Sequence, residues 1–218
     1  MLWEWLVVPF GLKNAPQYFQ RRMDQVLQGL YYCRCYIDDI FVWSSSFEEH
    51  VIHLQEVFQR LRDVGLKVHP GKCVFGADSI DILQHHILEG SLQPQQDKLA
   101  TVRDLPAPTD ISSLRAALGL FSYDRKFVHN FSSIAFPLNS LLKKDRPWMW
   151  GEEQQQAFTT LKDLLCSATI LRLPDFYRSF ILITDWSQHG MGAVLSQLDI
   201  EGVEHPVCYA SRSYNPVE

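Results

Sequence analysis

The stretch Tyr36-Ile37-Asp38-Asp39-Ile40 constrains this chain more than any other. Its two adjacent acids lie between β-prone flanks, Cys33 to Ile37 and Ile40 to Trp43, so the pattern predicts a hairpin with Asp38 and Asp39 at its tip. Tight hairpin turns ordinarily use glycine or Asn-Gly, and none is present here. Neighbouring carboxylates repel each other unless a cation offsets them, and Mg²⁺ takes carboxylate oxygens. These residues alone leave two interpretations open, a metal site and a solvated tip that carries two acids.

Length and composition predict a globular protein without a membrane span. The chain has 218 residues, of which 46% are hydrophobic and 21% charged, enough for one large domain or two small ones. It contains no run of about 18 apolar residues. The start, Met1 to Trp5, has no basic region and carries Glu4 within its apolar run, so we do not expect a signal peptide.

The cysteines and the charge balance bear on the compartment and on the partners. Cysteine occurs at five positions without Cys-x-x-Cys spacing: Cys33, Cys35, Cys73, Cys166 and Cys208. An odd number without such spacing predicts reduced thiols in an intracellular, cytoplasmic protein, with the nucleus as an alternative. The net charge of −5 argues mildly against a nucleic-acid partner, because basic residues cluster only locally, as at Arg21-Arg22 and Arg125-Lys126.

The first half of the chain contains recognisable helix and strand signals. Residues 4–13 form an apolar, strand-like run that ends in Pro9 and Gly11, and a helix is predicted to follow from an Asn14 cap. A second helix is predicted over 47–64, with Ser46 and Glu49 as a capping box and Gly65 after its end. Further strands are predicted at 66–68, 80–83 and 86–88.

The second half predicts further helices and then a run of strands. Residues 105–110 read as a linker, and helices are predicted over 111–129, 134–142 and 152–165. Three strands are predicted at 180–185, 191–197 and 206–210. The first of these would end at Asp185, which would place a carboxylate at the edge of a sheet.

Two histidine pairs invite a zinc hypothesis, which their spacing disfavours. His50 and His53 lie three residues apart on a predicted helix, and His85-His86 follow Cys73 at a distance that matches no structural zinc pattern. We therefore expect histidines that are hydrogen-bonded or solvated, and no zinc.

The order of the motifs is more specific than any one of them. The series runs through Pro9-Phe10-Gly11-Leu12-Lys13-Asn14-Ala15-Pro16, Phe19-Gln20, Tyr36-Ile37-Asp38-Asp39, the segment 44–50, Lys72-Cys73-x-Phe75-Gly76, Leu105-Pro106-x-Pro108-Thr109, Leu118-Gly119-Leu120, Phe136-Pro137-Leu138, Pro174-Asp175-Phe176, Thr184-Asp185, Gly190-x-Gly192-Ala193-Val194-Leu195-Ser196-Gln197 and Tyr209-Ala210-Ser211-Arg212-Ser213. This series resembles the Pol polyproteins of gypsy-like long-terminal-repeat retrotransposons, over essentially the whole chain.

The resemblance implies an α+β fold class in three parts. Residues 1–88 would be a partial reverse transcriptase palm, an antiparallel sheet with helices. Residues 89–145 would be the thumb and connection, and residues 146–218 the N-terminal part of a truncated RNase H-like α/β domain. The implied function is RNA-directed DNA polymerase with a partial ribonuclease H, and nucleotidyl transfer would use a two-metal mechanism in the full-length polyprotein.

The resemblance also implies roles for individual residues. Asp38, Asp39 and Asp185 would be catalytic carboxylates that bind Mg²⁺ or Mn²⁺, and Lys72 would neutralise or protonate the departing pyrophosphate. The residues bordering template, primer or incoming nucleotide would be Phe10, Gly11, Lys13, Asn14, Pro16, Gln17, Tyr36, Leu83, Gln84 and His85. The implied partners are an RNA or DNA template–primer, dNTPs and the remainder of the Pol polyprotein.

The chain also departs from the family pattern. The family has a further metal-binding Asp upstream of Pro9 and further RNase H acids after the third strand, which we expect to lie outside this sequence. Gln84 stands in place of a glycine, Trp186 in place of a small residue, and Asp124 in place of an aromatic one. With these ligand sets incomplete, we expect little or no catalysis by this polypeptide alone. The alternative is a catalytically inactive, retrotransposon-derived relic or interaction protein. An unrelated Mg²⁺ hydrolase would explain the acids and none of the other motifs.

Overall fold

The computed structural model describes residues 5, 7–9, 11–88, 90–144, 146–167, 170–188 and 190–214. The chain forms two compact units, Met1–Ala77 and Asp78–Glu218. Helices and antiparallel sheets occur together, which confirms the predicted α+β class. The three-part division into residues 1–88, 89–145 and 146–218 concerns inherited domains and stays a prediction. Within the described residues, no helix is both long and apolar enough to cross a membrane.

The first unit packs two helices against a two-stranded hairpin. Its regular elements are α1 (Ala15–Val26), β1 (Cys33–Tyr36), β2 (Asp39–Val42) and α2 (Phe47–Asp63). Apolar side chains from both helices, the α1–β1 connection and β1 form one core, made of Met23, Leu27, Leu30, Tyr32, Cys33, Val57 and Leu61. This core fixes the hairpin against α1 and α2, because a two-stranded hairpin alone is only marginally stable in water.

The helix ends of the first unit follow the local sequence signals. Pro16 lies in the first turn of α1, where its missing N–H costs nothing. The Ser46 side chain accepts a hydrogen bond from the backbone N–H of Glu49 at 3.2 Å, and Gly65 follows α2 with a φ of 73°. The strand predicted at 66–68 was wrong, since that segment is irregular, and residues 5, 7–9 and 11–13 of the run 4–13 also form no strand.

The second unit begins with a four-stranded antiparallel sheet. Its strands are β3 (Ser79–Ile82), β4 (His85–Leu88), β5 (Ser91–Pro94) and β6 (Leu171–Arg172), and they pair in that order. The sequence predicted β3 and β4, but not β5 or the two residues of β6.

The helices of the second unit enclose its largest core. They are α3 (Gln96–Arg103), α4 (Ile111–Tyr123), α5 (Phe131–Ile134), α6 (Phe136–Ser140) and α7 (Glu152–Cys166). Leu114 and Phe121 of α4 and Leu161 of α7 have no exposed surface in this core. The predicted helix over 111–129 ends earlier, at Tyr123, and a 3₁₀ turn, Arg125–Phe127, follows it. The predicted helix over 134–142 corresponds to the shorter α6, and the sequence did not predict α5, which precedes it.

A three-stranded antiparallel sheet completes the second unit, in the order β7 (Ile181–Ser187), β8 (Gly190–Leu198) and β9 (Glu204–Ser213). The N-terminus of α5 lies against this sheet, where the Ser132 backbone N–H donates to the Ser211 hydroxyl at 2.9 Å. Each strand is longer than predicted. Asp185 therefore lies within β7, two residues before its end, and is paired with Gly192 instead of terminating the strand.

Candidate active site

The hairpin of β1 and β2 presents the two adjacent acids to solvent. Tyr36 pairs with Asp39, so the two-residue turn consists of Ile37 and Asp38, and Asp39 is the first residue of β2. This corrects the predicted tip, Asp38-Asp39, by one residue. The carboxylates of Asp38 and Asp39 are both exposed. They stand on consecutive residues, one in the turn and one at the start of β2.

The turn has a left-handed backbone at a residue that rarely adopts it. Ile37 has a φ of 52°, and for a β-branched residue such an angle is a genuine outlier. Conformations of this kind cost of order 1–3 kcal/mol and persist only where the surroundings enforce them. The hairpin must therefore be held by contacts outside its own two strands.

Gln20 of α1 supplies those contacts. Its Oε1 accepts the Ile37 backbone N–H at 2.6 Å, and its Nε2 donates to the Cys35 carbonyl at 2.9 Å. Nε2 also donates to Asp24 Oδ1 at 2.9 Å, which fixes the orientation of the amide. Gln20 belongs to the family-like motif Phe19-Gln20, but its sequence context indicates no role for it, because only the folded chain brings it to a turn 17 residues away.

Cys35 contacts the same peptide from the strand side. Its Sγ donates to the Ile37 carbonyl oxygen at 3.2 Å. Burial, reinforced by neighbouring acids, raises the pKa of the Cys35 thiol to about 11. The thiol therefore keeps its proton at neutral pH and remains a donor. Both backbone polar groups of Ile37 are thus bound by side chains.

The chemistry of the two acids fits a hard divalent cation. Mg²⁺ in proteins is usually bound by one or two carboxylates, with water and substrate phosphates as its other ligands. Across the described part of the chain, the side chains of His, Cys, Asp and Glu form no group of three or more that could hold a metal ion. Asp38 and Asp39 would therefore supply part of a coordination shell that a substrate completes.

The segment before and within the first turn of α1 is exposed. Gly11 has a φ of 89°, which suits a turn that other residues would strain, and Lys13, Asn14, Pro16 and Gln17 follow it. The structure connects this segment to the hairpin through α1, since Gln20 lies one helical turn beyond it. Tyr36 lies in β1, directly before the turn, and its side chain is half exposed. Phe10 lies outside the described residues.

Lys72 lies in a short turn of the first unit. It ends the 3₁₀ turn Pro70–Lys72 and is exposed. Among the described residues, no hydrogen bond or ion pair joins it to Asp38 or Asp39. Its role near a leaving group therefore stays a prediction.

The remaining predicted site residues lie in the second unit. Leu83 and Gln84 form the turn between β3 and β4, and His85 begins β4 with a largely buried side chain. Asp185 is exposed within β7, and its Oδ1 accepts the Trp186 backbone N–H at 2.8 Å.

The first histidine pair faces a serine. Nδ1 of His50 lies 3.1 Å and Nδ1 of His53 2.8 Å from the Ser44 hydroxyl. The His53 ring also stacks on Tyr32, with centroids 3.5 Å apart. Both imidazoles therefore share one hydroxyl as a hydrogen-bond partner.

Two family models match separate parts of the sequence. Residues 2–87 match the model described as reverse transcriptase (RNA-dependent DNA polymerase). Residues 150–218 match the model of an RNase H-like domain found in reverse transcriptase. The two matches follow the order of the motifs along the chain.

Curated relatives match nearly the whole chain. A retrovirus-related Pol polyprotein from transposon 297 of Drosophila melanogaster is 40% identical over 99% of this chain and 20% of that protein. The transposon Tf2-3 polyprotein of Schizosaccharomyces pombe is 37% identical over 96% of this chain and 16% of that protein. The chain therefore spans about a fifth or less of the length of these relatives.

Solved structures share the fold. A foamy viral protease-reverse transcriptase in complex with dsDNA superposes with a TM-score of 0.85, at 24% identity, over 98% of this chain and 44% of that one. The same enzyme in complex with an RNA/DNA hybrid gives a TM-score of 0.82, at 24% identity, over 97% of this chain and 29% of that one.

Proposed function

Because this chain belongs to the Pol polyproteins of retrotransposons, with a reverse transcriptase segment followed by an RNase H-like segment, we propose that it carries part of the active site of an RNA-directed DNA polymerase. The polymerase acts within the full polyprotein. The observation that carries the proposal is the hairpin, whose strained turn is bound at both backbone polar groups of Ile37. Strain of this kind concentrates at functional sites.

Asp38 and Asp39 are the residues that would hold Mg²⁺ or Mn²⁺. When bound, such ions stabilise the charge on the attacking and leaving oxygens of a nucleotidyl transfer. The chain's own part is to fix the two carboxylates on a turn that cannot relax, because Gln20 and Cys35 hold its peptide. Lys72 supplies positive charge for the departing pyrophosphate.

Residues of both units would serve the substrates. Tyr36 and the segment from Phe10 to Gln17 border the incoming nucleotide and the template. In the second unit, Leu83, Gln84 and His85 contact the primer strand, and Asp185 is the first carboxylate of a ribonuclease H site. The structural neighbours support a nucleic-acid partner, because the foamy viral enzyme was solved with dsDNA and with an RNA/DNA hybrid.

Primer extension with the full-length reading frame that encodes this chain tests the proposal. We expect incorporation of dNTPs on an RNA template to require Mg²⁺ or Mn²⁺. Asp38→Asn and Asp39→Asn should each lower the rate by at least about 100-fold, because each removes a negative charge that would bind the metal ion. Asp63→Asn is the matched control, since this acid lies at the end of α2, is exposed, and its carboxylate accepts from the Gln59 amide.

Two outcomes would contradict the proposal. One is extension that is equal in the wild type and in Asp38→Asn. The other is no extension with either ion, which would favour the catalytically inactive relic or interaction protein.

A further inference from the structure

The turn between β3 and β4 is strained at both of its residues. Ile82 pairs with His85, which leaves Leu83 and Gln84 as a two-residue turn with φ angles of 47° and 63°. Turns with positive φ at both central positions strongly favour Asn-Gly, Asp-Gly or Gly-Gly. Here neither residue is glycine, asparagine or aspartate. The conformation must therefore be enforced by contacts from outside the hairpin.

Tyr123, the last residue of α4, makes the main contact. Its hydroxyl donates to the Leu83 carbonyl oxygen at 2.7 Å, across 40 residues of sequence. Its ring also stacks on His85, with centroids 5.5 Å apart and planes 19° from parallel. A single side chain thus binds the turn's backbone and the ring of the residue that follows it.

A largely buried charged pair fixes Tyr123 in place. Lys98 Nζ lies 3.5 Å from the centre of the Tyr123 ring and 2.8 Å from Asp124 Oδ2. Asp124 Oδ1 lies 3.6 Å from His85 Nε2. The side chains of Lys98, Asp124 and His85 are 10%, 3% and 12% exposed. The ring therefore contacts both an ammonium group and an imidazole.

The charges in this cluster are balanced away from solvent. Burial lowers the pKa of His85, which keeps its imidazole neutral at pH 7, and burial also lowers the pKa of Lys126 nearby. The carboxylate of Asp124 balances the positive charge of Lys98. Because Asp124 is buried, its negative charge does not face a nucleic-acid strand at the turn. His85 Nε2, Lys98 Nζ and Asp124 Oδ1 nevertheless have no hydrogen bond of normal geometry. A buried ion pair contributes little net stability, so its effect here is to orient the side chains that it contacts.

We propose that Tyr123 is a positioning residue that holds the Leu83–Gln84 turn in the shape that receives the 3′ end of a primer strand. The inference rests on the proposed function. Leu83 and Gln84 are exposed, and the Gln84 amide can donate to a phosphate and accept from a sugar hydroxyl. Neither family-like motif nor helix pattern singled out Tyr123, because its role depends on a contact made only in the folded unit.

The test is Tyr123→Phe, which removes the hydroxyl and keeps the ring with its stacking and cation–π contacts. Tyr177→Phe is the matched control, because Tyr177 is fully exposed. In primer extension by the full-length reading frame, we expect the KM for primer–template to rise about 2- to 10-fold, the range of one lost hydrogen bond. We expect kcat and the KM for dNTP to be unchanged, and Tyr177→Phe to match the wild type.

Amide hydrogen exchange separates this role from a purely structural one. We expect the amides of residues 83–85 to exchange faster in Tyr123→Phe. Faster exchange with an unchanged primer KM would reduce Tyr123 to a structural contact and overturn the inference. Unchanged exchange would overturn it as well, because the hydroxyl would then not hold the turn.

A binding measurement keeps the inference apart from the polymerase proposal. The probes are a labelled DNA duplex with a recessed 3′ end and a blunt duplex of the same sequence, with anisotropy as the readout. We expect this chain to prefer the recessed end and Tyr123→Phe to lose the preference, even if no extension occurs. Equal binding of both duplexes by the wild type, or the same preference in Tyr123→Phe, would refute the positioning role.

Discussion

The side-chain oxygen of Gln20 lies 2.6 Å from the backbone nitrogen of Ile37, so helix α1 binds the turn that carries the acids. The same amide reaches Cys35 on the strand before the turn. A change within α1 is therefore transmitted to the orientation of Asp38 through one side chain.

Gln20→Met should loosen this turn while leaving α1 intact. The change removes hydrogen bonds to Ile37 and Cys35, worth about 1–3 kcal/mol together, and methionine is a good helix former. The Ile37 amide should lose its protection against hydrogen exchange, as measured by NMR. Gln25→Met on the same helix is the control, because among the described residues the side chain of Gln25 bonds to exposed Arg22 and to no group of the hairpin. Equal protection of Ile37 in all three proteins would refute this account.

Gln84→Gly should stabilise the second unit by about 0.5–1 kcal/mol. A left-handed residue other than glycine costs about 1–2 kcal/mol, and glycine would remove this cost. Glycine also loses more conformational entropy on folding, which offsets part of the gain. Urea unfolding followed by circular dichroism provides the measurement. Gln93→Gly in β5 is the control, because that residue lies within a paired strand and its replacement should destabilise. A loss of stability in Gln84→Gly would show that the side chain contributes more than the strain costs.

Gly190→Ala and Gly119→Ala should shift stability in opposite directions. A Cβ on Gly190 would meet the carbonyl group of Arg212 inside van der Waals contact, with its carbon at 3.1 Å, so β8 and β9 must separate. We expect a loss of about 1–3 kcal/mol. A Cβ on Gly119, exposed within α4, meets nothing within 4 Å and should add about 0.5–1 kcal/mol. Thermal melts of the two variants check both signs, and similar melting temperatures would contradict the packing of β8 on β9.

The turn between β8 and β9 should weaken in acid. Asp199 Oδ1 accepts the backbone N–H groups of Glu201 and Val203, each at 2.9 Å, and Oδ2 lies 2.8 Å from His205 Nε2. The hydrogen bond from His205 is the largest cause that lowers the pKa of Asp199 to about 2. A folded pKa below the ordinary 3.8 means a stabilising contribution that is complete above pH 4 and is lost as the pH falls toward 2.

Urea midpoints between pH 5 and pH 2 measure this effect. We expect the wild type to lose stability more steeply than Asp199→Asn, which has no carboxyl to titrate at this position. Parallel curves for the two proteins would show that ionisation of Asp199 does not contribute to the stability of the folded state.

The sequence predicted the strands around the acids and missed the residue that makes the turn. The β-prone flanks of the two acids identified β1 and β2, and the cap at Ser46 with Gly65 identified α2, because these signals are local. Ile37 carries no local signal, since β-branched residues avoid a positive φ. Its conformation is set by Gln20 from another element.

Long-range contacts also explain the elements that the sequence did not predict. β6 is only Leu171–Arg172, and so short a segment becomes a strand because β5 lies beside it. The predicted helix over 111–129 ends at Tyr123 because Asp124 turns inward to Lys98. Neither partner is near in sequence, so no local pattern could show it.

Because β5 pairs with β6, the four-stranded sheet can be completed only after β6 has been synthesised. Ser91 and Leu92 cannot pair until Arg172 and Leu171 have been synthesised, roughly 80 residues later. At about 5–20 residues per second, that interval is on the order of 4–16 s. Throughout it, one edge of the β3–β4–β5 sheet is uncovered, so the nascent polyprotein passes through a period in which this edge is open to pairing with another chain.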